Sequence, residues 1–153
     1  MTEQNKQKML DMYHAACQAN GSTPREFTGL SKDEVAYIMI KEIIKARNQG
    51  WKPTEGATVW FPRLWWFSQE YIDKRMDEED KKKLLPYKDV PVLRGYASYG
   101  SSAGLGLLTS FYGPANAAAA VGAVLACKDE ETALSVANEC HELLIDFYEY
   151  PEE

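Results

Sequence analysis

The chain has 153 residues, of which 45% are hydrophobic and 26% are charged. This length and composition are ordinary for one globular domain, so we predict a single domain over residues 1–153 and no disordered tail. The formal net charge of −6 argues against a protein that coats nucleic acid, because such proteins neutralise phosphates with clustered lysine and arginine.

The N-terminal third is predicted to be helical. Apolar residues at helical spacing predict a first helix over about residues 6–18, and Gly21 supplies the left-handed residue that closes a helix. Residues 23–26, T-P-R-E, have the sequence of a helix start and predict a short helical turn. Residues 31–34 form a capping box before an isoleucine-rich stripe, which predicts a central helix over about residues 32–49.

Two aromatic stretches in the middle of the chain are predicted to form strands. The first covers about residues 57–67, and Pro62 inside it indicates an interruption at an edge or a bulge. Ser68 then caps a polar helical segment. The second strand covers about residues 90–99, and Gly95 inside it indicates a bulge.

The C-terminal part adds two predicted strands and a helix. A connection rich in glycine and serine, residues 100–116, contains a predicted strand at about 107–112. Residues 119–127 predict a central strand because both of its faces are apolar. Asp129 caps a last amphipathic helix over about residues 130–148.

Together these elements predict an α+β fold. We expect an antiparallel sheet of three or four strands with the two long helices, at about residues 32–49 and 130–148, packed on one face. The N-terminal helix is predicted to be shorter. The apolar stripes of the long helices cannot remain exposed, and the sheet offers a surface that can bury them.

Cysteine usage and the apolar stretches predict a cytoplasmic protein. The chain has an odd number of cysteines, and all three have apolar neighbours: Cys17, Cys127 and Cys140. This is typical of buried free thiols in a reducing compartment. Residues 1–6 lack the apolar core of a secretory signal, and no apolar stretch reaches the roughly 18 residues of a membrane span. We therefore expect neither export nor a membrane segment.

Two sequence blocks resemble a known family. Residues 48–53, N-Q-G-W-K-P, precede the first aromatic strand, and residues 121–129, V-G-A-V-L-A-C-K-D, precede the last helix. They are similar to the N-x-G-W-x-P and V-G-S-R-L-x-F-K-S segments of a family of uncharacterised small proteins from gut bacteria and their phages. The resemblance implies a small α+β protein of phage or mobile-element origin and no particular activity. Ala123 and Val124 replace the family's Ser-Arg pair, so any role of that pair is absent here.

Few residues offer the spacing of a metal or cofactor site. His14 and His141 are the only histidines, and with the three cysteines they form no CxxC, HxxxH or HExxH motif. Residues 104–106, G-L-G, lack the full spacing of a dinucleotide-binding loop. We therefore predict no metal and no cofactor.

A concentration of aromatic residues gives the candidate binding site, which consists of Trp60, Arg63, Trp65, Trp66, Tyr96 and Tyr99. One interpretation places these side chains in the core, as alternate residues of a sheet covered by helices. The other is recognition. Trp65 and Trp66 are adjacent and point to opposite faces of a regular strand, so one is exposed unless a second layer covers it. Exposed Trp, Tyr and Arg are favoured at interfaces and can stack on bases.

Three hypotheses for the function follow. The leading one is a non-enzymatic binding or assembly protein whose partner is another protein or a second copy of the chain. The second is a small enzyme with an unfamiliar polar site near residues 100–116, suggested by the length of that connection. The third is a single-stranded nucleic-acid-binding protein that uses the tryptophans with Lys74 and Lys81, although the acidic net charge disfavours nucleic acid.

Overall fold

The structure is a computed structural model that describes residues 1–53, 58–88, 90–101 and 125–148. The described elements are α1 (Glu3–Asn20), α2 (Lys32–Arg47), β1 (Thr58–Trp66), α3 (Gln69–Lys74), α4 (Glu78–Lys81), β2 (Leu85–Tyr87), β3 (Val90–Ser101), α5 (Glu130–Glu139) and α6 (His141–Tyr148). The strands pair antiparallel in the order β1-β3-β2. This arrangement confirms the predicted α+β class and the antiparallel sheet. Across the described ranges, every helix is too short or too polar to span a bilayer.

The helices form layers above the sheet. α5 packs directly on β1 and β3, whereas α2 packs on α1 and α6. The packing of the central helix therefore differs from the prediction, because its closest neighbours are other helices and not the strands. The buried side chains that join these layers come from the four longer helices and from the residue between the last two. They include Met9, Tyr13, Cys17, Ile40, Ile43, Ile44, Val136, Cys140 and Leu144.

The helices at both ends of the chain differ from their predicted lengths. α1 has 18 residues and α2 has 16, so the N-terminal helix is not the shorter one. Thr2 extends it, because its hydroxyl accepts the N–H of Asn5 at 3.2 Å. The predicted helix 130–148 is broken at Cys140, where φ is −113° and ψ is 23°. The break lets α5 lie on the sheet while α6 lies against α2. Asp129 caps α5 as predicted, since its Oδ1 accepts the N–H of Thr132 at 2.7 Å.

The segment between α1 and α2 is not helical, although residues 23–26 predict a helical turn. The phenol oxygen of Tyr13 accepts the backbone N–H of Arg25 at 2.9 Å, and the Tyr13 ring lies 5.5 Å from that of Phe27. Burial raises the pKa of this phenol. These tertiary contacts outweigh the weak local preference of the four residues.

Pro62 lies inside β1 without interrupting it, since β1 pairs continuously with β3 and Pro62 is opposite Ala97. The backbone N–H and C=O of Trp60 bond Cys127, at 3.2 Å and 2.7 Å, on the side away from β3. Alternate residues of a strand direct their backbone groups to the same side. The backbone nitrogen of Pro62 therefore also faces away from β3. Its lack of a hydrogen removes no bond between the two strands.

The described end of the predicted strand 119–127 is not a regular strand. Leu125 is helical, and Cys127 forms an isolated antiparallel bridge with Trp60 of β1. Residues 119–124, like the predicted strand 107–112, lie outside the described residues. The apolar pattern identified burial correctly at this end, since Leu125 and Cys127 are buried, but it did not identify the backbone conformation.

Asn48, the C-cap residue of α2, holds this segment beside the sheet. Its Nδ2 donates to the carbonyl oxygen of Ala126 at 2.8 Å, and its Oδ1 accepts the backbone N–H of Lys128 at 3.1 Å. Only 7% of Asn48 is exposed. One side chain thus satisfies the backbone groups on either side of Cys127, where an adjacent strand would otherwise supply the partners.

Gly95 does not mark the predicted bulge. It pairs in register with Leu64, and the irregularity of the sheet lies between Leu85 and Pro86. A β-carbon on Gly95 would lie 2.6 Å from Oδ1 of Asn138 and 3.2 Å from the β-carbon of Ala137. A larger residue would have to displace the amide of Asn138 and press against Ala137, so glycine suits the close approach of α5 to β3.

Candidate functional site

A row of stacked aromatic rings runs from the end of β1 to the start of α3. Trp65 is 57% exposed and stacks on Phe67, with ring centroids 6.0 Å apart and an interplanar angle of 7°. Phe67 stacks in turn on Tyr71, at 5.5 Å and 20°. Tyr71 is 41% exposed. The three rings therefore form one continuous stack at the surface.

The local sequence explains this alignment. Trp65 and Phe67 are two residues apart, so they lie on the same side of an extended chain. The N–H of Phe67 donates to the carbonyl oxygen of Val92 at 2.9 Å, which continues the pairing with β3 past the end of β1. Ser68 then caps α3, because its hydroxyl accepts the N–H of Tyr71 at 3.2 Å. The cap places Tyr71 in the first turn of α3, beside Phe67.

Trp66 forms a second exposed aromatic pair. It is 48% exposed, and its ring meets that of Tyr87 edge-on, with centroids 4.7 Å apart and an interplanar angle of 75°. Trp66 lies opposite Leu93 in the register, and Leu93 is fully buried. Because successive side chains alternate across a strand, Trp65 and Trp66 extend the exposed aromatic area to both sides of β1. We call Trp65, Trp66, Phe67, Tyr71 and Tyr87 the aromatic surface.

The structure separates the predicted site residues. Trp65 and Trp66 are exposed, whereas Trp60 and Arg63 are partly buried and Trp60 packs against the core. The core interpretation therefore describes Trp60 but neither Trp65 nor Trp66. In β3, the backbones of Tyr99 and Tyr96 lie opposite Trp60 and Arg63. The side chains of both tyrosines lie outside the described residues.

Sequence reasoning missed three members of the aromatic surface, although two of them had a local signal. Phe67 follows Trp65 at the two-residue spacing of a strand face, and Tyr71 lies three residues after the capping Ser68. Tyr87 had no such signal, because its position beside Trp66 depends on the pairing of β2 with β3.

Several charged residues near the aromatic surface are paired with one another, and Nζ of Lys88 lies 5.1 Å from the ring centroid of Tyr87. Residues 69–83 contain six acidic and five basic residues, a net charge of −1. Lys74 binds Glu70 at 3.0 Å, and Arg94 binds Asp80 at 2.8 Å. The three lysines at positions 81–83 each pair with an acid three residues earlier, at 3.0 to 3.7 Å. With Lys88 and Arg94 added, the six acids face seven basic residues, a net charge of +1, so the aromatic surface is bordered by a nearly neutral rim.

The cysteines have the properties of structural thiols. Cys127 and Cys140 are fully buried, and burial raises their pKa values to about 12 and about 11. On α1, Cys17 is buried whereas His14 is exposed. His141 has its Nδ1 3.1 Å from the carbonyl oxygen of Asn138. Within the described ranges, no three histidine, cysteine, aspartate or glutamate side chains are grouped so that they could hold a metal ion.

The enzyme hypothesis concerns a segment that is almost entirely outside the described residues. Of residues 100–116, the structure describes only the backbone of Gly100 and Ser101, at the end of β3. The polar site suggested there stays a prediction.

Comparisons with models of protein families, with curated proteins and with solved structures found no match to this chain.

Proposed function

We propose that this chain is a non-enzymatic binding or assembly protein and that its aromatic surface docks a protein partner, either a second copy or another chain. The observation that carries the proposal is the exposure of two adjacent tryptophans, at 57% for Trp65 and 48% for Trp66. Burial of tryptophan and tyrosine supplies much of the binding energy at the centre of protein interfaces. The rings are already stacked on their neighbours, so little side-chain freedom is lost when a partner docks.

The charge near the aromatic surface supports a protein partner over nucleic acid. Affinity for nucleic acid requires lysine and arginine that can neutralise phosphates. Residues 69–83 have a net charge of −1, and Lys74 and Arg94 are paired with Glu70 and Asp80. An apolar centre with a polar rim is instead typical of a protein interface.

One edge of the described sheet, formed by β2, supports docking through side chains. β2 is the last strand in the described order, has three residues and contains Pro86. Short edge strands and proline hinder pairing with a further strand, because proline lacks the backbone N–H. A partner at this edge is therefore expected to contact Trp66 and Tyr87 and not to extend the sheet.

The proposal also includes a cellular location and an origin for the protein. A cytoplasmic location is supported by Cys17, Cys127 and Cys140, which are all free and buried and so suit a reducing compartment. A phage or mobile-element origin is supported by the resemblance of residues 48–53 and 121–129 to proteins of gut bacteria and their phages.

Self-association can be measured with the isolated protein. In sedimentation velocity over a concentration series, we expect the wild type to form a dimer or larger species and Trp65→Ser/Trp66→Ser to remain monomeric. Leu134→Ser is the matched control, because Leu134 is also exposed, at 37%, but lies on α5. If the double variant associates as strongly as the wild type, the aromatic surface is not the interface. A wild type that stays monomeric would exclude a second copy as the partner.

A titration with single-stranded oligonucleotides distinguishes docking of a protein from the alternative, binding of nucleic acid. The proposal predicts no quenching of tryptophan fluorescence at low salt. Quenching that weakens as salt is added, and that is lost in Trp65→Ser/Trp66→Ser, would replace the proposal by nucleic-acid binding.

A further inference from the structure

A separate cavity of about 570 Å³ opens between α1, α2 and α6, and it shares no residue with the aromatic surface. Its floor reaches the core: Met9, Met39 and Leu143 line it and are each at most 5% exposed. Phe27 and Val35 add apolar walls. This volume lies within the range of roughly 300 to 1,000 Å³ that small-molecule sites occupy.

Among the described residues, the rim of the cavity has two ammonium groups and one carboxylate. These charged lining residues are Lys6, Lys32 and Asp146. Nζ of Lys32 lies 2.7 Å from Oδ1 of Asp146, whose side chain is 13% exposed. Lys6 pairs with Glu3 at 2.6 Å, but the two side chains are 58% and 89% exposed. An exposed ion pair of this kind contributes little, so Lys6 can exchange Glu3 for another anion.

From this combination of an apolar floor and a cationic rim, we propose that the cavity binds a small amphipathic anion, a carboxylate with an aliphatic or aromatic body. The body lies on Met9, Met39 and Phe27, and methionine adapts to apolar ligands of different shapes. The carboxylate accepts charge-assisted hydrogen bonds from Lys6 and Lys32. A cationic head would meet two ammonium groups and could reach Asp146 only by displacing Lys32.

The apolar walls of the cavity favour binding of a ligand with an apolar body. Water in an apolar groove finds few polar partners, and the lining side chains lose dispersion contacts on their open side. An apolar body would displace that water and restore the contacts. The driving force comes from the floor, and the selectivity for an anion comes from the rim.

Two probes with the same tail and opposite heads test the charge preference. In isothermal titration calorimetry below their micelle concentrations, dodecanoate is expected to bind once per chain, and dodecyltrimethylammonium about tenfold or more weakly, as two charge-assisted contacts imply. Equal binding of both probes would overturn the proposal, as would no binding of dodecanoate.

A pair of lysine variants identifies the residues involved. Lys6→Gln/Lys32→Gln is expected to weaken dodecanoate binding by about tenfold and to abolish the preference over the cationic probe. Lys8→Gln/Lys45→Gln is the matched control, because it makes the same changes at exposed positions of the same helices that do not line the cavity. Equal losses in the two double variants would show only a general charge effect and would contradict the assignment.

Filling the cavity tests its location. Val35→Trp is expected to abolish dodecanoate binding, whereas Leu134→Trp, on the surface of α5, should bind like the wild type. If Val35→Trp does not fold, as judged by circular dichroism, the lysine variants still decide, because their side chains are exposed. Loss of a dimer in Val35→Trp, together with no binding of dodecanoate to the wild type, would identify the cavity as a contact between copies and overturn the proposal. Trp65→Ser/Trp66→Ser should retain dodecanoate binding, so the two sites can fail independently.

Discussion

Replacing Asn48 with alanine removes the two hydrogen bonds that hold residues 126–128 against α2. The carbonyl oxygen of Ala126, a residue 1% exposed, loses its partner, and so does the partly buried N–H of Lys128. Each unsatisfied buried group costs about 1 to 3 kcal/mol, so we expect the free energy of unfolding to fall by about 2 to 4 kcal/mol. Asn48 has the αR conformation, which alanine also adopts, so no backbone strain is added.

Urea denaturation followed by circular dichroism measures this loss, with the free energy obtained by linear extrapolation. Gln18→Ala is the control, because it removes an exposed amide from α1 and should change stability by less than about 0.5 kcal/mol. Asn48→Asp keeps an acceptor for Lys128 but puts an oxygen against the carbonyl of Ala126, so we expect it to cost at least as much as alanine. If Asn48→Ala is as stable as Gln18→Ala, the two bonds do not hold this segment.

Three further predictions concern the C-terminal helices and thiols. Leu144 is fully buried, so Leu144→Ala should lower the free energy of unfolding by about 2 to 5 kcal/mol in the same urea assay, and Glu131→Ala should cost little; equal stability would mean that the buried face of α6 is misassigned. Hydrogen bonds from Thr132 hold the pKa of Asp129 below its ordinary value, so its stabilisation is present above the pKa of the unfolded chain and is lost as pH falls through the folded-state pKa. Asp129→Asn should therefore reduce the pH dependence of stability below about pH 4, and an unchanged profile would contradict this role. Because Cys127 and Cys140 have pKa values of about 12 and about 11, a thiol-reactive disulfide should label them at pH 8 only after urea is added; rapid labelling of the folded protein would contradict their burial.

The parts of the fold that the sequence predicted are those whose signals act within a few residues. The N–H of Ser31 donates to Oε2 of Glu34 at 2.7 Å, and the N–H of Thr132 donates to Oδ1 of Asp129, also at 2.7 Å. Both contacts span three positions, so the starts of α2 and α5 follow from local sequence. The strands around Trp65 and around Leu93 also follow, because aromatic and branched residues favour extended chain.

The parts that could not be predicted depend on contacts between distant residues. The bond from Arg25 to Tyr13 spans 12 positions and prevents a helical turn that the local sequence favours. The bond from Lys128 to Asn48 spans 80 positions and replaces a strand partner. Neither leaves a repeating pattern in the sequence. The cavity between α1, α2 and α6 is likewise a product of how the helices pack.

The same distinction applies to the aromatic surface. Strand alternation predicted that Trp65 and Trp66 point in opposite directions, but it could not say which side another layer covers. The answer depends on the path of the chain after Ser68, which places Tyr71 beside Phe67, and on the position of β2, which places Tyr87 beside Trp66.

The attachment of residues 126–128 to Asn48 has a consequence for the kinetics of folding. Its two bonds span 78 and 80 positions, and contacts between such distant residues close only after the entropy of a long loop has been lost. We therefore expect them to be absent from the transition state, so that Asn48→Ala accelerates unfolding and leaves the refolding rate nearly unchanged. In that case Asn48 sets the lifetime of the folded state and not the speed at which it forms.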